Sequence, residues 1–121
     1  MKTYAVRKAP RTSVHFQFCY FGDGTLSTGT VWDLSETGWR STSEHPVPAG
    51  TETTVTLTLS DGKRSRNVLI DGAIVRWSRG RDTGWEITRM DDANRAHLMD
   101  FVDQLEAAAP IMSTTEDIHW Y

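Results

Sequence analysis

Two short groups of polar residues in the first third of this chain have side chains suited to holding phosphate and a flat polar ring. Arg7 and Arg11 stand four positions apart in a basic segment. A guanidinium binds phosphate bidentately, stacks on flat rings and contacts the O6 and N7 acceptors of guanine. Asp33, Ser35 and Gly38 follow an alternating hydrophobic run. A carboxylate complements the N–H donors of guanine, a hydroxyl bonds base or phosphate, and glycine lets a ligand approach the main chain. The combined set matches a guanine nucleotide with its phosphates.

The sequence lacks the motifs expected of a protein that hydrolyses such a nucleotide. It contains neither a Gly-x-x-x-x-Gly-Lys-Ser/Thr loop nor a Gly-x-Gly-x-x-Gly fingerprint. Ser35 lies outside any Gly-x-Ser-x-Gly elbow. The histidines are scattered without metal-ligand spacing, at His15, His45, His97 and His119. We therefore predict a binding protein that is not an enzyme, with no catalytic residue, no metal and no cofactor.

The first two strands must position these groups. Apolar side chains at every second position predict half-buried strands from Thr12 to Phe21 and from Leu26 to Ser35, joined by a turn at Gly22–Gly24. In an antiparallel pair joined by one turn, the start of the first strand lies beside the end of the second. The arginine segment and the Asp33–Ser35 face are therefore predicted to meet.

The rest of the chain predicts further strands and one helix. Short strands are expected at Trp39–Ser43, Thr51–Ser60, Lys63–Ser78 and Thr83–Arg89. The hydrophobic period then changes to that of a helix, which begins with acidic residues and stops at Pro110; its apolar positions are Leu98, Phe101, Val102 and Leu105. Several short strands followed by one helix indicate a mainly β fold, a small antiparallel barrel plugged or flanked by a C-terminal helix.

Regular alternation also places the tryptophans. If the second strand is regular, Trp32 and Leu34 share its apolar face, while the opposite face carries the Asp33–Ser35 pair. Trp77 is predicted to pack into the core, and Trp39 is predicted to be exposed.

Composition and charge limit the classes of protein. The chain has 121 residues, 38% of them hydrophobic and 24% charged, as expected of one globular domain with a genuine core. A net charge of −3 argues against a general DNA- or RNA-binding surface. No apolar run is long enough to span a bilayer, and the N-terminus lacks a signal-peptide core. The single cysteine, Cys19, excludes an intramolecular disulfide. We expect a cytoplasmic protein without membrane insertion.

Three segments are predicted. Residues 1–11 form a basic arm, residues 12–108 form the barrel with its helix, and residues 109–121 form a tail ending in Trp120 and Tyr121. The arm is predicted to be mobile without ligand, because its charges lack nearby acidic partners and it carries little apolar surface. Whether the tail docks on the barrel or frays stays open at this point.

The pattern Arg7-x-x-x-Arg11 followed by Asp33-x-Ser35-x-x-Gly38, with Ile74–Trp77 and Thr83–Ile87 further on, resembles a PilZ domain over roughly residues 6–106. The resemblance implies a six-stranded antiparallel β-barrel with a C-terminal helix, acting as a bacterial receptor for the second messenger cyclic di-GMP. It implies that the two arginines grip guanine and phosphate. Asp33, Ser35 and Gly38 would surround a guanine from the barrel side. Binding would change the conformation and signal to a downstream protein partner in motility, biofilm formation or pilus control.

Two questions remain open at the level of sequence. Val6 stands where many PilZ domains have a basic residue, so the chain could take one nucleotide or a stacked pair; Arg40 and Arg76 are candidates for secondary contacts. The alternative function is a PilZ-like interaction module that binds no nucleotide, with Trp39 and the Trp120–Tyr121 end as candidate contact points.

Overall fold

The described part of the protein consists of six strands and one helix. The computed structural model describes residues 12–22, 24–60 and 63–108. The elements are β1 (Thr12–Gly22), β2 (Thr25–Leu34), β3 (Gly38–Ser43), β4 (Glu52–Ser60), β5 (Ser65–Arg79), β6 (Asp82–Arg89) and α1 (Asp92–Ala108). Every strand that the alternation predicted is present, with each end within two residues of its expected position.

The six strands close into a barrel in the order β1-β2-β3-β6-β5-β4. All six pairings are antiparallel, and the pairing of β1 with β4 completes the closure. Closure allows every strand to pair on both sides, which avoids the exposed edges of an open sheet. The mainly β prediction, a six-stranded barrel with a C-terminal helix, is confirmed.

Two stacked tryptophans lie at the centre of the barrel. The rings of Trp39 and Trp85 are 5.6 Å apart and 11° from parallel, and Phe18 meets both of them edge-on. The prediction that Trp39 is exposed was wrong, because Trp39 has 0% of its surface accessible. Its backbone pairs with Leu34 on one side and Trp85 on the other. Directly paired residues point to the same face, so all three side chains enter the core.

A β-bulge at Trp32 overturns the predicted faces of β2. Val31 pairs with Ser41 and Asp33 pairs with Arg40, so Trp32 is an extra residue with no partner on β3. The extra residue interrupts the alternation. Trp32 therefore lies on the outer face with 38% of its surface exposed, instead of sharing the core with Leu34.

A second bulge moves Trp77 out of the core. Val75 pairs with Trp85 and Trp77 pairs with Gly84, so Arg76 is the extra residue of β5. Val75 is buried inside the barrel, whereas Trp77 is half-buried against Gly84 on the outside. The prediction that Trp77 packs into the core was wrong for the same reason as that for Trp32.

Helix α1 packs against the barrel through one apolar stripe. Leu98 and Val102 are buried, and Phe101 meets Phe16 of β1 edge-on, with ring centroids 6.0 Å apart. Asp91 caps the helix, because its Oδ1 accepts a 2.7 Å hydrogen bond from the backbone N–H of Asn94. This bond makes the largest contribution to lowering the pKa of Asp91, and bonds from the Asn94 side chain lower that pKa further.

Several predictions concern residues outside the described part. They are the basic arm of residues 1–11 with Arg7 and Arg11, the stop at Pro110 and the tail of residues 109–121. Among the residues that the structure does describe, no helix is long and apolar enough to cross a membrane.

The two central tryptophans offer a matched test of one buried hydrogen bond. The indole N–H of Trp85 donates to Thr83 Oγ1 at 3.0 Å, while that of Trp39 has no partner in the described part of the chain. We expect Trp85→Phe to lower the free energy of unfolding by about 1 kcal/mol more than Trp39→Phe. Urea denaturation followed by circular dichroism measures the difference. Equal losses, or a larger loss for Trp39→Phe, would contradict the expectation.

The Asp91 cap should depend on pH. Because the folded-state pKa is lowered, the charged cap stabilises the fold above the unfolded pKa of about 3.9, and the effect disappears as the pH falls through the folded value. Asp91→Asn keeps a capping oxygen without the charge. We expect wild type to have the higher urea midpoint at neutral pH, and the gap to narrow at acidic pH. A gap that does not change with pH would contradict this.

Candidate functional site

Asp33 belongs to a row of residues that crosses the outer face of the barrel. Ladder pairing joins Asp33 to Arg40, Arg40 to Gly84, and Gly84 to Trp77, which spans β2, β3, β6 and β5. On its other side Asp33 pairs with Ser13 of β1. We refer to Asp33, Arg40, Gly84 and Trp77 as the Asp33 row.

The carboxylate of Asp33 is held by an ion pair. Arg40 Nε donates to Asp33 Oδ2 at 3.0 Å, with side-chain exposures of 35% for Arg40 and 7% for Asp33. A carboxylate this deeply covered is costly unless a cation or several donors compensate it. Arg40, predicted as a secondary ligand contact, therefore has a structural partner. Arg76, the other such candidate, pairs with Glu86.

Ser35 shapes the connection between β2 and β3. Its backbone N–H donates to the carbonyl of Gly38 at 2.9 Å, and its Oγ accepts from the backbone N–H of Thr37 at 3.2 Å. The same hydroxyl lies 3.3 Å from the Gly38 carbonyl, to which it can donate. The residue is 2% exposed. The hydroxyl thus fixes a tight turn, of the kind serine forms through its own backbone neighbours.

Gly38 is required by the packing of β3 against β6. A Cβ at this position would overlap the carbonyl oxygen of Trp85. The sequence predicts that something approaches the main chain closely at this glycine, and within the described barrel that neighbour is the backbone of β6.

A second row, beside the first, escaped the sequence analysis. Trp32 stacks on His15, with ring centroids 5.0 Å apart and planes 24° from parallel. The indole N–H of Trp32 donates to Thr42 Oγ1 at 2.9 Å, and that hydroxyl donates to Asp82 Oδ1 at 3.0 Å. We refer to His15, Trp32, Thr42 and Asp82 as the Trp32 row. Its only signal in the sequence is a tryptophan next to Asp33, and regular alternation assigns that residue to the core.

The structure brings together three of the five predicted site residues. Asp33, Ser35 and Gly38 lie at the end of β2 and the start of β3, while Arg7 and Arg11 lie outside the described residues. The first residue of β1, Thr12, pairs with Leu34, next to Asp33. The predicted adjacency of the two strand ends is therefore confirmed.

A separate groove of about 450 Å³ lies between the β4–β5 hairpin and α1. Its lining includes Arg66, His97 and Phe101, and Arg66 Nη1 is 3.1 Å from His97 Nε2. No group of three or more His, Cys, Asp or Glu residues that could hold a metal ion occurs in the described segments.

Substitution of Gly38 should destabilise the fold whether or not a ligand is present. We expect Gly38→Ala to lower the free energy of unfolding by about 2–4 kcal/mol, because the new methyl group forces β3 away from β6. Gly24→Ala is the control. Gly24 has a φ of 75° with open space around it, so only backbone strain of about 1 kcal/mol is expected. Similar losses in the two variants, measured by urea denaturation, would contradict the packing role of Gly38.

Comparison with known proteins identifies the family. The chain is similar to the inhibitor of motility MotI/DgrA of Bacillus subtilis, with a TM-score of 0.72 and 13% identity over 87% of this chain. It spans 53% of the length of that protein. It is also similar to the PilZ domain of YcgR from Escherichia coli, solved with c-di-GMP, with a TM-score of 0.64, 14% identity and coverage of 89% of this chain and 97% of that one.

These structural likenesses concern the fold, because the sequence identities are low. No curated protein matches the sequence. The match to a family over residues 5–104 takes in most of the chain, from the arginine segment to the helix. The chain therefore belongs to the PilZ domain family.

Proposed function

We propose that this chain is a bacterial, cytoplasmic receptor for cyclic di-GMP. The nucleotide would lie on the outer face of the barrel, between the Asp33 row and the arginine segment that precedes β1. Arg7, Arg11, Asp33, Ser35 and Gly38 form the proposed site, with Ser35 and Gly38 in the turn that follows Asp33. The receptor would pass the signal to a protein partner and would need no cofactor.

The observation that carries this proposal is the pairing of β1 with β2. Thr12 and Ser13 lie opposite Leu34 and Asp33. Arg11 is bonded directly to Thr12, and Arg7 precedes Arg11 by four residues. Both arginines are therefore joined to the chain at the strand end that lies next to Asp33, which is what the proposed site requires.

The chemistry of the two sides is complementary to the ligand. The Asp33 carboxylate can accept hydrogen bonds from the N1–H and N2–H donors of guanine, and its bond from Arg40 orients it. Arg7 and Arg11 would bind the phosphates and stack on or hydrogen-bond the bases. The phosphates carry negative charge, whereas the chain as a whole has a net charge of −3. A local concentration of arginines is therefore needed to hold them.

Membership of the PilZ family and the fold shared with the c-di-GMP-bound domain of YcgR support this ligand. Closure of the arm on the nucleotide would change the surface that the barrel offers to other proteins. The similarity to an inhibitor of motility makes motility the first output to examine, beside biofilm formation and pilus control.

Two observations favour the alternative, a PilZ-like module that binds proteins and no nucleotide. Asp33 is already paired with Arg40, and the backbone of β6 occupies the space beside Gly38. Both residues therefore have structural reasons to be present. Trp39 is no longer a candidate contact in that alternative, because it is buried. The two functions differ in one property, which is binding of the nucleotide.

Calorimetric titration with cyclic di-GMP tests the proposal directly. We expect wild type to bind, and Arg11→Ala and Asp33→Asn each to weaken binding by at least about tenfold, because each removes a charged hydrogen-bond partner. Arg66→Ala is the control, since Arg66 is an exposed arginine beside the separate groove, and it should bind as wild type does.

Thermal melting of each variant separates loss of binding from loss of folding. Absence of binding by folded wild-type protein at tens of micromolar nucleotide would refute the receptor function and leave the interaction module. An equal loss in Arg66→Ala would show that the effect is general electrostatics.

A further inference from the structure

Trp32 is an exposed aromatic residue placed directly beside the proposed ligand face. The bulge at Trp32 leaves two consecutive residues, Trp32 and Asp33, on the outer side of β2. Trp32 is 38% exposed, whereas Trp39 and Trp85 at the centre of the barrel are buried. The covered part of the indole stabilises the barrel. The exposed part lies on the proposed ligand face and is open to a ligand.

The indole of Trp32 is held in one orientation. Its N–H bonds to Thr42 Oγ1 at 2.9 Å, and Thr42 is fixed in turn by its bond to Asp82. On the β1 side, His15 stacks against the indole with a centroid separation of 5.0 Å. This separation is close to the spacing of about 4.8 Å between neighbouring strands, as for two rings standing side by side on the sheet. Because the Trp32 indole is held on two sides, it loses little conformational entropy when a ligand stacks on it.

The Trp32 indole is also close enough to the Asp33–Arg40 ion pair for one ligand to contact both. Thr42, which anchors the indole, is two residues from Arg40 on the same face of β3. Two residues along a strand correspond to about 6.6 Å. A ring resting against the Trp32 indole can therefore turn its edge towards Asp33 and Arg40.

We propose that Trp32 is a stacking platform for a purine base of the bound cyclic dinucleotide, with His15 as the residue that supports it. This inference rests on the proposed receptor function and adds a residue to that site. The base that stacks on Trp32 presents its hydrogen-bonding edge to Asp33. Stacking adds affinity with little preference among bases, since every base has a π-face. Asp33 therefore selects guanine, while Trp32 increases the strength of binding.

Titration of three variants against wild type tests the platform. We expect Trp32→Ala to weaken binding of cyclic di-GMP by about tenfold, as for loss of one base–aromatic contact. Trp32→Phe keeps a ring and should stay within about threefold of wild type. Phe21→Ala is the matched control, because Phe21 is an aromatic residue 53% exposed at the other end of the β1–β2 hairpin. It should bind like wild type.

The outcomes separate the two proposals. If wild type does not bind, the receptor function itself fails. If wild type binds and Trp32→Ala binds equally well, the receptor function stands and the platform is overturned, which would leave Trp32 as a contact for a protein. A nuclear Overhauser effect between guanine H8 and the Trp32 ring in wild-type protein needs no variant. Its presence supports the platform even if Trp32→Ala fails to fold, and its absence in the saturated complex overturns it.

Discussion

The extra residue at Trp32 is the constraint on which the geometry of the outer face depends. A closed barrel of six strands must curve, and bulges supply curvature by placing two residues opposite one. Between Val31 and Asp33 the bulge shifts the register against β3, and β1 compensates with its own irregularity between Ser13 and Phe16. As a result Asp33 still meets Arg40 while Leu34 still enters the core. Without the extra residue, Val31 and Leu34 could not both point into the core while Asp33 points outward.

The site residues on the barrel serve the fold and the proposed ligand together. Asp33 is in an ion pair, Ser35 closes a turn and Gly38 allows β6 to approach. Such residues are already fixed before a ligand arrives, so little ordering is required on the barrel side of the site. The same fact means that loss of binding in a Gly38 or Ser35 variant says little about contact with the nucleotide. Residues whose side chains face outward, such as Trp32, are better probes of that contact.

Periodicity in the sequence predicts the strands well because burial on one face imposes a period of two. The errors occur where the period is broken. Trp32 is the extra residue of one bulge and Trp77 follows the extra residue of another. A bulge depends on the pairing of distant strands, which local sequence does not specify. The prediction for Trp39 failed for a related reason, because Trp39 lies near the start of a short strand, where a shift of one residue reverses the face. Only the pairing with Leu34 and Trp85 decides its direction.

The arrangement of charge on the barrel explains why the proposed site needs a second segment. Two arginines on this side of the barrel are in ion pairs, Arg40 with Asp33 and Arg76 with Glu86. Each of these pairs is close to neutral as a unit, so neither offers a full positive charge to phosphate. Under the proposed function, this part of the barrel would supply a carboxylate and aromatic surface for a base, and the arginines before Thr12 would supply the cations for the phosphates. The arginines that precede Thr12 are the nearest in sequence to that face. Under the proposed function, the site would be divided between a wall that the fold already fixes and a cationic segment. Closure of that segment on the nucleotide would then supply the change that a receptor needs in order to signal.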